Sequence, residues 1–294
     1  MVDLITVVYG PEVPYLKLQG RSIERYADPS FVNAIHIIVN DENYNIVNQI
    51  DKSWWGIYSD RVNIIHYSIY GYSSRVTGWD NQQLCKLLAS SKASTPWSIV
   101  LDAKTFFVKA FNEQIFFTNG RVSVNDIMAS SAFHEAKHCV ERMFGGILDK
   151  IIGPGGVPFL FHTQTVADMI AKCEELHNNT FPEFFQQHVQ WPNLLTEFYL
   201  YSGYVKYKYG NIRELYTSGQ KWDCVNIADW QIENFDELFN TMRLFKTLTI
   251  SIQSKAWQLM SEEQKLKYVT LLKTKDLTDD IEETLAQLNT VVIN

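Results

Sequence analysis

Asp102 closes the apolar run Trp97-Ser98-Ile99-Val100-Leu101, so a buried strand would deliver a carboxylate to its own carboxyl end. A phosphate or a metal ion can be held at such a place. The plainer alternative is an Asp that begins a turn. A second constellation, His134-Glu135-Ala136-Lys137-His138, lies on a segment with helical spacing. Two His four apart face one way and can bind zinc, with Glu135 activating a water, as in a zinc metallohydrolase. Lys137 sets a cation between those ligands, and Glu141 and Phe144 stand where an extended motif has Gly and His. The alternative is a surface helix carrying His134–His138 and Glu135–His138 pairs. Glu197 sits in an apolar, tyrosine-rich stretch that would raise its pKa and suit it to take a proton from a hydroxyl. A buried Glu satisfied by a tyrosine hydroxyl or an Arg is the competing account. Trp222-Asp223 is a weaker candidate for acceptor recognition or base.

These residues need elements to hold them. Leu4–Tyr9, Ala34–Val39, Val62–Tyr67 and Trp97–Leu101 are short apolar or β-branched runs and predict strands. Tyr15–Tyr26 and Asp80–Ser91 have helical spacing, the second with Leu84, Leu87 and Leu88 as its stripe. Gln82 and Lys86 lie opposite that stripe, where spacing alone predicts a solvated polar face. Strand, helix, strand, strand, helix, strand is an α/β pattern with a mainly parallel sheet. Ligands bind outside the carboxyl ends of such strands, which adds Tyr9 and Asp41 to Asp102.

In the second half, Val122–Phe144, Thr165–His177 and Pro192–Tyr209 predict helix, and Ile151–Pro158 a loop. The last stretch predicts two helices, Phe235–Met260 and Glu262–Leu288. The simplest organisation is a catalytic domain over 1–230 with a helical C-terminal extension over 231–294.

Composition narrows the classes. With 46% apolar and 20% charged residues the chain is ordinary globular protein and not a disordered one. Its net charge of −7 counts against a general nucleic-acid binder. Tyr201–Arg213 interleaves aromatics with Lys206, Lys208 and Arg213, which suits either a nucleic acid or a tyrosine-packed helix with snorkelling lysines. Cys85, Cys139, Cys173 and Cys224 are scattered and predict reduced, mostly buried thiols in a cytoplasmic protein. The amino-terminal apolar run is too short for a signal peptide or a membrane span.

Several stretches, in order, resemble the GT-A glycosyltransferases, and in particular an uncharacterised GT-A-like family of bacteria and phages. Gly78-Trp79-Asp80-Asn81-Gln82-Gln83-Leu84-Cys85-Lys86-Leu87 is similar to that family's G-W-x-x-Q-Q-x-x-K-L helix. Leu101-Asp102-Ala103-Lys104 falls at its D-x-D-like position. Pro158–Thr163 and Thr196–Tyr201 resemble its P-x-x-x-H-T and S/T-E-x-x-L-Y segments. The resemblance implies a Rossmann-type, GT-A-like fold. It implies a hexosyl- or pentosyltransferase moving a sugar from a nucleotide-sugar, a UDP-sugar first among them, to a hydroxyl acceptor. That acceptor would be a glycan or a hydroxymethylated base of phage DNA.

On that reading Thr6, Tyr9, Asp41, Arg75, Trp79, Gln82, Gln83 and Lys86 line the donor site. Asp102, Lys104 and Glu197 do the chemistry, and His162, Thr163, Trp222 and Asp223 face the acceptor. The sequence departs from D-x-D at Lys104, which cannot ligate a metal and would repel one. Either Lys104, with Lys86 or Arg75, supplies the charge for the leaving diphosphate without a metal. Or Asp102 with another ligand such as His162 holds Mn²⁺ or Mg²⁺. A non-catalytic pseudo-transferase that only binds nucleotide or glycan is the third expectation, beside the zinc hydrolase.

Overall fold

The computed structural model describes residues 1–72, 78–128, 133–154, 157–190, 194–244 and 246–291. Five strands form the central sheet: β1 (Val2–Val8), β2 (Val32–Val39), β3 (Val62–His66), β4 (Trp97–Asp102) and β10 (Phe159–His162), in the order β10-β4-β1-β2-β3. β4, β1, β2 and β3 run parallel, and β10 is an antiparallel edge. All seven residues of β1 are buried, because a central parallel strand is covered on both faces and paired on both sides.

Helix α1 (Val13–Tyr26) follows β1, and α2 (Gly78–Ser91) leads into β4. The chain moves from β1 outward through β2 to β3, then returns through α2 to β4 on the other side of β1. Right-handed crossovers in opposite directions put α1 and α2 on opposite faces. They also open a crevice between the carboxyl ends of β1 and β4, the switch point where α/β sheets bind ligands. Gly20 lets α1 approach its neighbour closely, since a Cβ there would come 2.6 Å from the Trp54 carbonyl oxygen.

The remaining strands are β5 (Thr105–Phe107), β6 (Phe117–Thr118), β7 (Arg121–Val124), β8 (Asp126–Met128), β9 (Lys150–Ile152), β11 (Tyr216–Ser218), β12 (Asp223–Ile227) and β13 (Thr247–Ile252). They make two three-stranded sheets, β12-β13-β5 and β11-β7-β6, and the pair β8-β9. The remaining helices are α3 (Glu113–Phe116), α4 (His134–Phe144), α5 (Thr163–His177), α6 (Phe181–His188), α7 (Glu197–Tyr209), α8 (Phe235–Met242), α9 (Ser254–Leu259), α10 (Glu262–Thr274) and α11 (Ile281–Asn289).

The four expected strands of the first half and both of its helices are present. Three expectations in the second half are corrected. Val122–Phe144 is not one helix, since β7 and β8 precede α4. A two-residue turn at Asn119-Gly120, both at positive φ, pairs Thr118 with Arg121, which is what an Asn-Gly dipeptide favours. Phe235–Met260 is broken by β13, whose Thr-Leu-Thr-Ile-Ser-Ile run is buried throughout and pairs with both β5 and β12. The 231–294 segment is thus not wholly helical. Ile151–Pro158 opens with part of a strand rather than a loop. Among the described residues no helix is long and apolar enough to cross a membrane. All four cysteines are free, and Cys85, Cys139 and Cys173 are buried.

Candidate functional site

At the carboxyl end of β4, Asp102 Oδ1 accepts hydrogen bonds from Gln82 Nε2 at 2.7 Å and Lys86 Nζ at 2.9 Å. Gln82 and Lys86 are one turn apart on α2, so one helix face presents an amide and an ammonium to one carboxylate. Lys86 Nζ also lies 3.3 Å from Glu197 Oε1, on the first turn of α7, and 5.8 Å from the Phe198 ring centroid. The backbone N–H of Glu197 donates to Gln83 Oε1 at 3.2 Å. Lys86 therefore does not lie on a solvated polar face, as spacing alone predicts; it is a buried charge between two carboxylates.

The turn after Asp102 is pinned from below. Gln19 of α1 donates through Nε2 to the carbonyls of Asp102 at 2.8 Å and Thr105 at 3.0 Å, and accepts from Thr6 Oγ1 at 2.8 Å. That turn projects Lys104, whose Nζ donates to Glu12 Oε1 at 2.9 Å. Ser254 Oγ at the start of α9 donates to the same oxygen at 2.9 Å. Glu12 ends the short 3-10 turn Gly10–Glu12 that follows β1.

Exposure sorts this cluster into front and back. The side chains of Asp102 and Lys104 are 22% and 16% exposed, against 5% for Lys86, 3% for Glu197 and 7% for Glu12. Of these five, Asp102 and Lys104 are the ones a ligand can meet without rearrangement. Burial acts on every member and is overcome to different degrees. For Lys86, burial favours the neutral amine, but Asp102 and Glu197 outweigh it and hold the pKa above the usual lysine value. Lys104 is likewise held up against its burial, by Glu12 first and then Asp102. Asp102 is lowered because Lys86 and Lys104 outweigh burial. Glu197 is raised because burial, with Asp102 nearby, outweighs Lys86.

Around this centre, Tyr9 is exposed at the end of β1, and Trp79 is exposed at the start of α2. Asp41 Oδ2 accepts from the Gly10 N–H at 3.1 Å, and the Asp41 carbonyl bonds His66 Nε2 at 2.7 Å, so Asp41 ties together the ends of β1, β2 and β3. Arg75 lies outside the described residues. Sequence reasoning missed Gln19, Glu12 and Ser254, and also Asn40, which bonds the Asn81 side chain and the Gly78 carbonyl. No local pattern marks these residues, because their partners are brought in by the fold.

Several expected site residues do not reach this centre. Thr6 and Gln83 are fully buried beneath it. Glu197, expected as a general base, touches the centre only through Lys86, and its side chain is 3% exposed. His162 pairs with Trp97 in the antiparallel β10–β4 ladder, five residues before Asp102, which places it roughly 16 Å away along the strand. It therefore cannot share a metal with Asp102. Its Nδ1 bonds Thr165 Oγ1 at 2.9 Å, and Thr163 Oγ1 donates to the Thr95 carbonyl at 2.7 Å, both at the amino end of β4. Trp222 is buried edge-on against Phe116, and Asp223 pairs with Thr247, at the end of β13 remote from Thr105.

The His134–His138 helix is also present. Its two Nε2 atoms lie 2.8 Å apart, and His138 Nδ1 lies 3.1 Å from Glu141 Oε2. Among the described residues no three His, Cys, Asp or Glu side chains gather to hold a metal, here or elsewhere. At Asp102 the donor set itself does not fit a divalent cation. One carboxylate oxygen is already taken by an ammonium and an amide, and Lys104 stands beside it.

The model of a family of unknown function, DUF6492, matches residues 9–271, and the chain belongs to that family. No curated protein matches. Among solved structures, an active-site mutant of LgtC superposes with a TM-score of 0.51 at 10% identity, over 97% of this chain and 100% of that one. The galactosyltransferase LgtC in complex with donor and acceptor sugar analogs gives 0.48 at 8% identity, over 100% and 97%. The glycosyltransferase GlyE of Streptococcus pneumoniae TIGR4 gives 0.49 at 11%, over 97% of this chain and 63% of that one. The likeness to the LgtC mutant identifies the fold as GT-A.

Proposed function

We propose that this DUF6492 member is a glycosyltransferase that moves a hexosyl or pentosyl group from a nucleotide-sugar, UDP-linked in the first instance, to a hydroxyl of a glycan. The support is the position of one cluster. Asp102 and Lys104 stand at the switch point of a GT-A sheet, with their charges set by Lys86 and Glu12.

The donor diphosphate would lie across the carboxyl ends of β1 and β4, between Tyr9 and Trp79. Lys104 then faces the leaving diphosphate. An ammonium has three N–H donors, Glu12 takes one, and the others can follow the charge as it develops. Asp102, kept ionised, accepts a hydroxyl of the donor sugar and orients it. The work asked of the protein is orientation and electrostatics rather than covalent chemistry. With Lys104 in the place of a second carboxylate, we take transfer to be independent of divalent metal. A hydroxymethylated base of phage DNA is a less favoured acceptor, since the net charge of −7 opposes a polyanion.

The test is a thermal-shift screen of EDTA-treated protein against UDP-, GDP-, CMP- and dTDP-sugars, with and without Mn²⁺. A ligand at about a hundred times its dissociation constant stabilises by roughly 2.7 kcal/mol, a shift of a few degrees. A response to one nucleotide class without metal is expected, and Lys104→Met should remove most of it. A response that requires Mn²⁺ would overturn metal independence. No response to any nucleotide would overturn the donor assignment. Binding without donor hydrolysis or transfer would leave a pseudo-transferase.

A further inference from the structure

We infer that Glu12 and Ser254 are the positioning residues of Lys104, so that the segment running from β13 into α9 is part of the transfer site. This rests on the function proposed above and extends it to residues far away in the chain.

A lysine side chain is flexible and gives up rotamer freedom when fixed. A cation that must meet a diphosphate in one geometry therefore needs a partner that holds it without cancelling its reach. Glu12 does this from behind. Its Oε1 receives Lys104 Nζ at 2.9 Å and Ser254 Oγ at 2.9 Å, while its own side chain is only 7% exposed. A carboxylate so enclosed is not placed to touch a ligand itself. It is fixed by the 3-10 turn that leaves β1 and by the Ser254 hydroxyl.

The hydroxyl is delivered by strand register. Ser251 pairs with Thr105 in the antiparallel β13–β5 ladder, and the Gln253 N–H donates to the Ile227 carbonyl at 2.9 Å. Ser254 therefore comes next to the turn that carries Lys104. Three stretches separated by about a hundred residues or more meet at one oxygen atom. The arrangement parallels the other lysine: Lys86 has Glu197 behind it and Asp102 in front, and Lys104 has Glu12 behind it beside the same Asp102. A tie that served only to fasten the β1 turn to the β4–β5 turn would have no need to end on a part-exposed ammonium in the switch-point crevice.

The experiment uses the full chain with Glu12→Gln, Glu12→Asp and Ser254→Ala. Two measurements are made in metal-free buffer. One is the titration of the Lys104 Nζ resonance by NMR, assigned by its loss in Lys104→Arg. The other is the affinity for UDP, GDP, CMP and dTDP by calorimetry across the alkaline range. The charged groups facing Lys104 are Glu12, Asp102 and Lys86. Removing the Glu12 charge leaves burial and Lys86 opposed only by Asp102. In Glu12→Gln the Lys104 titration should move to lower pH, and affinity for the preferred nucleotide should fall about tenfold and be lost earlier as pH rises. Glu12→Asp should recover part of both, and Ser254→Ala should shift both in the same direction by less. An unchanged Lys104 titration and unchanged affinity in Glu12→Gln and Ser254→Ala would overturn the inference. If the wild type binds none of the nucleotides, the proposed function fails, while the Lys104 titration still decides whether Glu12 governs that lysine.

Discussion

Lys86 Nζ lies 2.9 Å from Asp102 Oδ1 and 3.3 Å from Glu197 Oε1, so one buried ammonium joins the end of β4 to the first turn of α7. Desolvating three charged groups is costly, and the arrangement holds only while the cation stays in the middle. Lys86→Met should therefore destabilise the protein by roughly 3–5 kcal/mol, because it leaves the buried Glu197 carboxylate beside that of Asp102 with no cation between them. Glu197→Gln in the same chain should return part of that loss. Urea unfolding of the two single variants and the double variant gives the coupling, and additive effects would mean that the three groups do not act as a unit.

The acid limb of stability should depend on Asp3. Its carboxylate is fully buried, which disfavours ionisation. The His36 ring 3.6 Å away and hydrogen bonds from Asn33 and Ser94 outweigh that burial and bring its pKa from the ordinary 3.8 to about 2. A carboxylate with a depressed folded pKa stabilises above its unfolded value and loses that contribution as pH falls through the folded one. Asp3 should thus contribute roughly 2 kcal/mol at neutral pH, lost between about pH 4 and 2. In Asp3→Asn, unfolding free energy measured against pH should be lower at neutral pH and flatter across that window.

Gly203 sets the distance between two helices. A Cβ there would come 2.0 Å from Val140 Cγ1 on α4. Alanine gains about 0.5–1 kcal/mol over glycine inside a helix, but overpacking costs about 1–3 kcal/mol, so packing should win. Gly203→Ala is expected to lower the melting temperature by a few degrees, and Val140→Ala added to it should recover most of the loss. A melting temperature raised by Gly203→Ala alone would mean that α4 can move away without cost.

His162 belongs to the amino end of the sheet, edge-on to Trp97 with ring centroids 5.0 Å apart. His162→Ala should leave nucleotide affinity and its response to Mn²⁺ unchanged while lowering stability modestly. A change in either binding property would contradict its placement roughly 16 Å from Asp102.

Much of the first half was legible because its central strands β1 and β4 are buried on both faces. Such strands read as continuous apolar runs, and each run ends where the polar crevice begins, which is why Asp102 stands out. β13 carries its own strand signal, since Leu248, Ile250 and Ile252 recur at every second position, but its six residues lie between the helices α8 and α9, and β5 and β12, which pair with it, lie elsewhere in the chain. The Asn119-Gly120 turn is legible in the sequence as a hairpin signal.

Sequence alone determined that strands and helices alternate and that a carboxylate closes β4, with Lys104 two residues on. It also determined that Gln82 and Lys86 share one helix face, since these follow from neighbours along the chain. Only the tertiary structure decided that Lys86 is buried between two carboxylates and that Glu197 is enclosed behind it. It alone sent His162 to the wrong end of the sheet for a metal and brought Glu12 and Ser254 to Lys104. The physical reason is register: an antiparallel edge strand reverses which end of the sheet a residue reaches, and pairing partners more than a hundred residues away carry no local signal.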